Sequence, residues 1–136
     1  MSRGIMNTQP DTVELPPGLR VVVTELAETP LEGIENFVHV EAMNAPRPAD
    51  LKADEVIIAI RSTAVGWVDL IMTSGQYQHA PRLPYSPGLE YAGDIVWAGC
   101  EVTSEQARVG DRVFVDCFSV GPRTSGAYQS AGGYAS

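Results

Sequence analysis

The side chains able to ligate a metal or attack carbon are few and scattered in this chain. Cys100 and Cys117 stand outside any Cys-x-x-Cys spacing, His39 falls in a β-rich stretch and His79 in a polar loop. None of them belongs to the clustered N and S donors that zinc requires, and lone histidines so placed are solvated or packed residues. The glycines say more. Gly110-Asp111 stands directly before Arg112-Val113-Phe114, and a glycine free to take positive φ, beside an aspartate that can hydrogen-bond its own backbone, makes a tight reversal ahead of a strand. No Gly-x-Gly-x-x-Gly follows a strand and no lysine-bearing phosphate loop is present, so the chain carries no dinucleotide site of its own.

The elements that must position these residues are mostly strands. Arg20 to Leu26, Phe37 to Glu41, Glu55 to Arg61, Glu90 to Ala98 and Arg112 to Phe118 are each about one strand long and rich in Val, Ile and aromatic residues. Runs such as Val21-Val22-Val23 and Val56-Ile57-Ile58 predict strands covered on both faces, as in a partial barrel or paired sheets. Ala45 to Asp54 carries two prolines and reads as a connector. One short helix is expected, Trp67 to Thr73, with Leu70 and Ile71 facing inward and Ser74-Gly75 ending it. Residues 1–19 read as a flexible leader, and Gly121 to Gly126 and Ala131 to Gly133 as loop; the last five residues look like the start of a strand.

Composition removes several classes of partner. A net charge of −8 over 136 residues opposes binding to nucleic acid or to anionic lipid. The longest aliphatic run, Val56-Ile57-Ile58-Ala59-Ile60, is far short of the roughly 20 apolar residues of a membrane span. No apolar signal-peptide core marks the first twenty residues, and the unpaired cysteine pattern fits a reduced, cytoplasmic chain.

Three motifs in order carry a resemblance: Ala64-Val65-Gly66-Trp67-Val68-Asp69, then Ser86-Pro87-Gly88-Leu89-Glu90-Tyr91-Ala92-Gly93-Asp94, then Val109-Gly110-Asp111-Arg112-Val113-Phe114. Together they resemble the N-terminal, GroES-like catalytic domain of the medium-chain dehydrogenase/reductase superfamily, in its zinc-independent quinone oxidoreductase and enoyl reductase branch. The resemblance implies a mainly β, GroES-like partial barrel with one or two short helices over residues 20–136, truncated at its C-terminus, with the nucleotide-binding domain missing. An incomplete sheet would expose an apolar edge and invite homodimer pairing.

The same resemblance locates the chemistry. Pro87-Gly88-Leu89-Glu90 is similar to the Pro-Gly-His-Glu segment that gives zinc-dependent alcohol dehydrogenases a histidine ligand, and Gly66 stands where those enzymes have cysteine and quinone oxidoreductases have asparagine. Neither Gly66 nor Leu89 can ligate, and the four cysteines of the family's structural zinc lobe are missing, so no metal is expected. Without a Lewis acid the expected reaction is reduction of a C=C bond activated by a carbonyl, as in a quinone, enone or enoyl thioester, with hydride from NAD(P)H and hydrogen-bond donors at the carbonyl.

Gly75-Gln76-Tyr77 is similar to the enoyl reductases' Gly-x-Tyr, which makes Tyr77 the candidate proton donor; the alternative is a ring packed over the loop ending at Pro84. Gly66, Trp67 and Asp69 are the pocket candidates, Trp67 otherwise being core and Asp69 mainly structural at a helix start, where it complements the dipole. Glu90 is expected to be a buried carboxylate behind the reacting groups, with Gly88 and Gly93 required by a tight turn and a close-packed strand. Alone, such a chain is expected to be inactive. The competing expectations are a stand-alone binding module that has lost catalysis, and a zinc alcohol dehydrogenase.

Overall fold

The computed structural model describes residues 13–122 and 131–136. Expectations for residues 1–12 and 123–130, most of the leader and the loop through Gly126, lie outside the described residues. The elements run β1 (Gly18–Val23), α1 (Pro30–Phe37), β2 (Val38–Met43), a 3₁₀ turn at Pro48–Asp50, β3 (Val56–Thr63), α2 (Trp67–Met72), β4 (Tyr91–Ala98) and β5 (Arg112–Phe114). β1 and β2 form one antiparallel pair, while β3, β4 and β5 form a second antiparallel sheet in sequence order. Among the described residues the strands do not close into a barrel.

Each strand follows its β-branched run, and the ends shift for local reasons. β1 begins at Gly18, two residues inside the expected leader, because it pairs in register with β2 from Gly18 opposite Met43 to Val23 opposite Val38. β5 stops at Phe114 rather than Phe118, since the Asp116 carboxylate accepts from Phe118 N (3.0 Å) and Ser119 Oγ (2.8 Å) and folds the chain into a turn. Those two bonds also hold the Asp116 carboxyl below its ordinary pKa.

α1 is an element the strand-weighted expectation misses. Thr29 accepts from Glu32 N with its hydroxyl, Pro30 opens the first turn, and the Glu32 carboxylate reaches back to Glu28 N at 3.2 Å. That Thr-Pro-x-Glu pattern is a helix-start signature in its own right. In α2 the expected inward pair, Leu70 and Ile71, is only half-buried; Met72 and Asp69 are the buried residues, because the short helix lies with that stripe toward the core.

Two apolar clusters support the sheets. One gathers Val23, Met72, Tyr85 and Leu89, with Val38, Val68, Tyr77 and Cys117 against it; the other gathers Ile95, Ala98 and Val102 beneath β3 and β4. Gly93 permits the close β3–β4 approach, for a Cβ there would fall 2.1 Å from Ala59 O. The Gly110 reversal forms with φ +95°, but the Asp111 carboxylate accepts from Arg108 N (2.8 Å) rather than from its own backbone.

The two sheets are joined by loops and by the segment 131–136. Val23 exchanges backbone hydrogen bonds with Tyr85, and Val21 N donates to Tyr134 O at 2.8 Å. Among the described residues no helix is long and apolar enough to cross a membrane.

Candidate active site

The site is built where α2 begins. Gly66 is the N-cap, in extended backbone, and has no side chain to cap the helix. The cap is supplied from inside: Asp69 turns its carboxylate back so that Oδ2 accepts from Gly66 N at 3.0 Å. Asp69 is 8% exposed, and a buried carboxylate demands partners.

Two further donors meet it. Gly88 N donates to Oδ1 at 3.0 Å, and the Tyr134 hydroxyl donates to Oδ2 at 3.2 Å. No Lys, Arg or His pairs with Asp69 among the described residues. Two backbone N–H groups and one phenol therefore hold it, by charge-assisted bonds. This junction ties the start of α2 to the Pro87-Gly88 turn and the C-terminal segment.

Gly88 has φ +107°, and a Cβ there would lie 2.7 Å from Gly133 N and from the Tyr134 ring. Its carbonyl accepts from Gly133 N and that of Pro87 from Tyr134 N. Beside the turn, Leu89 is 6% exposed and packs into the cluster with Val23, Met72 and Tyr85. The position is an apolar core site.

The Asp69 charge reaches two phenols. Burial, reinforced by Asp69, pushes Tyr85 well above the ordinary phenol range, and its hydroxyl is buried without a hydrogen-bond partner among the described residues. Tyr134 is pushed up to about 12 by burial, by the Asp69 charge and by its bond to that carboxylate. Both phenols stay protonated through neutral pH.

Of the residues expected from sequence, the structure gathers Gly66, Asp69 and Gly88 at one junction, with Tyr77 half-buried against the apolar cluster containing Leu89. The Tyr77 ring lies 5.7 Å from that of His79. Trp67 is 78% exposed, so it is not core in this chain. Leaving its chain neighbours aside, a Cβ at Gly66 would meet, among the described residues, Asp69 Oδ2 at 3.5 Å, an ordinary van der Waals contact.

Glu90 departs from expectation. It is exposed, not buried, and its backbone carbonyl accepts from Ala64 N (2.9 Å) and Thr63 Oγ1 (3.3 Å) just before β4. Tyr85 and Tyr134 were not singled out by sequence. Tyr134 lies 65 positions from Asp69, and no local spacing links them.

An open groove of about 330 Å³ runs beside the junction, lined by Leu19, Val21, Val40, Val65 and Tyr134 among others; Gly66, Trp67 and Tyr77 are not part of it. Among the described residues no three His, Cys, Asp or Glu side chains converge as a metal site would need.

Comparison with known proteins places this geometry. Residues 52–136 match the family model described as the alcohol dehydrogenase GroES-like domain. The chain is 37% identical over 68 residues to a quinone oxidoreductase-like protein 2 homolog of Nematostella vectensis, covering 50% of this chain and 18% of that protein. It is 43% identical over 60 residues to the quinone oxidoreductase of Lama guanicoe, covering 44% of this chain and 18% of that one. The matches thus span less than a fifth of these curated relatives. A crystal structure of a probable oxidoreductase from Mycobacterium abscessus superposes with a TM-score of 0.60 at 22% identity, over 88% of this chain and 31% of its own, and so shares the fold. The chain belongs to the alcohol dehydrogenase GroES-like domain family, within the quinone oxidoreductase branch of the medium-chain dehydrogenase/reductase superfamily.

Proposed function

We propose that residues 20–136 form the substrate-side domain of an NAD(P)H-dependent oxidoreductase that reduces a C=C bond conjugated to a carbonyl, without zinc. Leu89 carries this reading: where zinc-dependent family members place a histidine ligand, its side chain is packed into an apolar cluster, and Gly66 offers only a bare Cα at the other ligand position. What remains for carbonyl activation is hydrogen bonding.

Each residue then has a task. The exposed Trp67 ring and the absence of a side chain at Gly66 suit a flat ring laid against the start of α2, so these residues would face a nicotinamide or the acceptor. A reduced nicotinamide, when bound, supplies hydride. Tyr77 would give its phenol proton, or a hydrogen bond, to the acceptor's carbonyl oxygen as charge develops there. Asp69 would hold the Gly66 and Gly88 backbones and touch no reacting atom. A small-molecule acceptor, a cytoplasmic setting and a nucleotide-binding domain as partner complete the proposal.

The test is an assay of the polypeptide that joins this domain to its nucleotide-binding domain. NADPH oxidation driven by an enone or quinone and unaffected by a chelator is expected. Turnover of simple alcohols, lost on chelation, would overturn the proposal.

A further inference from the structure

The segment 131–136 meets the start of α2 through one side chain, Tyr134. Its backbone is fixed on two sides, with N donating to Pro87 O at 3.0 Å and the carbonyl accepting from Val21 N at 2.8 Å. Gly133 N bonds to Gly88 O, and Ser136 N to Leu19 O. The Ser136 hydroxyl adds a side-chain tie, accepting from Leu19 N at 3.0 Å, so the segment is anchored without the Tyr134 side chain. The Tyr134 hydroxyl is left for another task.

That hydroxyl lies 3.2 Å from Asp69 Oδ2 and 3.2 Å from the carbonyl oxygen of Ala64. A phenol has one proton, so the two acceptors share it. The same Oδ2 accepts from Gly66 N. The loop Ala64-Val65-Gly66 is thus held at both ends, at Ala64 by the phenol and at Gly66 by the carboxylate the phenol touches. Between and beyond those ties, the Val65 and Trp67 side chains are exposed.

We infer that Tyr134 is a positioning residue for the rim Ala64–Trp67, acting through Asp69 and the Ala64 carbonyl. Raised to about 12, the phenol remains a donor at any physiological pH. The functional weight of the rim rests on the reading proposed above, whereas the clasp is a property of this chain and is tested on it directly.

The experiment is residue-resolved amide hydrogen exchange on the 136-residue chain and its Tyr134→Phe variant, which keeps the ring and removes the hydroxyl. Losing one such bond corresponds to about tenfold faster opening. That acceleration is expected at the Gly66 amide, with the Ala64 amide, bonded to Glu90 O, the β3–β4 ladder and the Gly133 and Ser136 amides unchanged. Uniform acceleration would mean that Tyr134 merely stabilises the fold. Acceleration confined to 133–136 would mean that it only anchors the terminus. Either result, or no change, overturns the inference. Asp69→Asn is a second variant that retains an acceptor oxygen: if Tyr134 acts through Asp69, combining the two substitutions accelerates Gly66 exchange by less than the product of the single effects. A full product of effects also overturns the inference.

Discussion

β4 and β2 both carry Val and Ala, and they end in opposite surroundings. β4 lies between β3 and β5, and Ile95, Trp97 and Ala98 are buried along it. β2 pairs with β1 alone, and four of its six residues, His39 to Ala42, are exposed. Strand formation follows from the residues themselves, whereas burial follows from which neighbours arrive. The two sheets are not hydrogen-bonded to each other as strands, so the polar junction at Asp69 helps to hold together what the apolar clusters do not.

Substitutions along the two strands sharpen this contrast most. Ile95→Ala should cost about 2–5 kcal/mol in denaturant unfolding, because it empties a packed site, while Val40→Ala, at 67% exposure, should change stability by less than about 0.5 kcal/mol. Equal effects would break the contrast. Next in size is Asp69→Ala, which leaves the donors of Gly66, Gly88 and Tyr134 without their acceptor and should cost about 2–3 kcal/mol by the same measurement. Gly88→Ala forces a side chain into positive φ and against Gly133 and Tyr134, for about 1–3 kcal/mol.

The alkaline limb of stability separates the junction from the sheets by charge. Tyr134 has a raised pKa when folded, so its contribution is fully present below the unfolded value of 10.0 and is lost as pH rises through about 12. Unfolding midpoints measured from pH 9 to 12 should fall across that window, and the fall should be shallower in Tyr134→Phe, though not absent, because burial raises Tyr85 and Tyr91 as well. The smallest effect is expected at the exposed Arg47–Asp50 pair, where Arg47→Ala should cost less than about 0.5 kcal/mol.

Much of the fold was legible because Val and Ile runs such as Val56-Ile57-Ile58 mark strands wherever they fall, and Gly110-Asp111 marks its own reversal. α1 was legible too, in Thr29-Pro30 and Glu32, but weighing β-branched content alone hides a capping pattern. The site was legible in part. Asp69 and Gly88 stand in motifs whose spacing is local, yet their contact spans 19 positions and Tyr134 joins from 65 away, so only the folded chain brings the three together. Glu90 was expected to be buried from the family resemblance alone, whereas in this chain it is exposed immediately before β4.

The most direct test of the proposed chemistry follows the hydrogen itself. The two-domain polypeptide would be given NADPH deuterated at the transferring position together with a conjugated enone, and the product examined by NMR. Deuterium at the carbon β to an intact carbonyl is expected. Deuterium on the former carbonyl carbon, with the double bond retained, would contradict it.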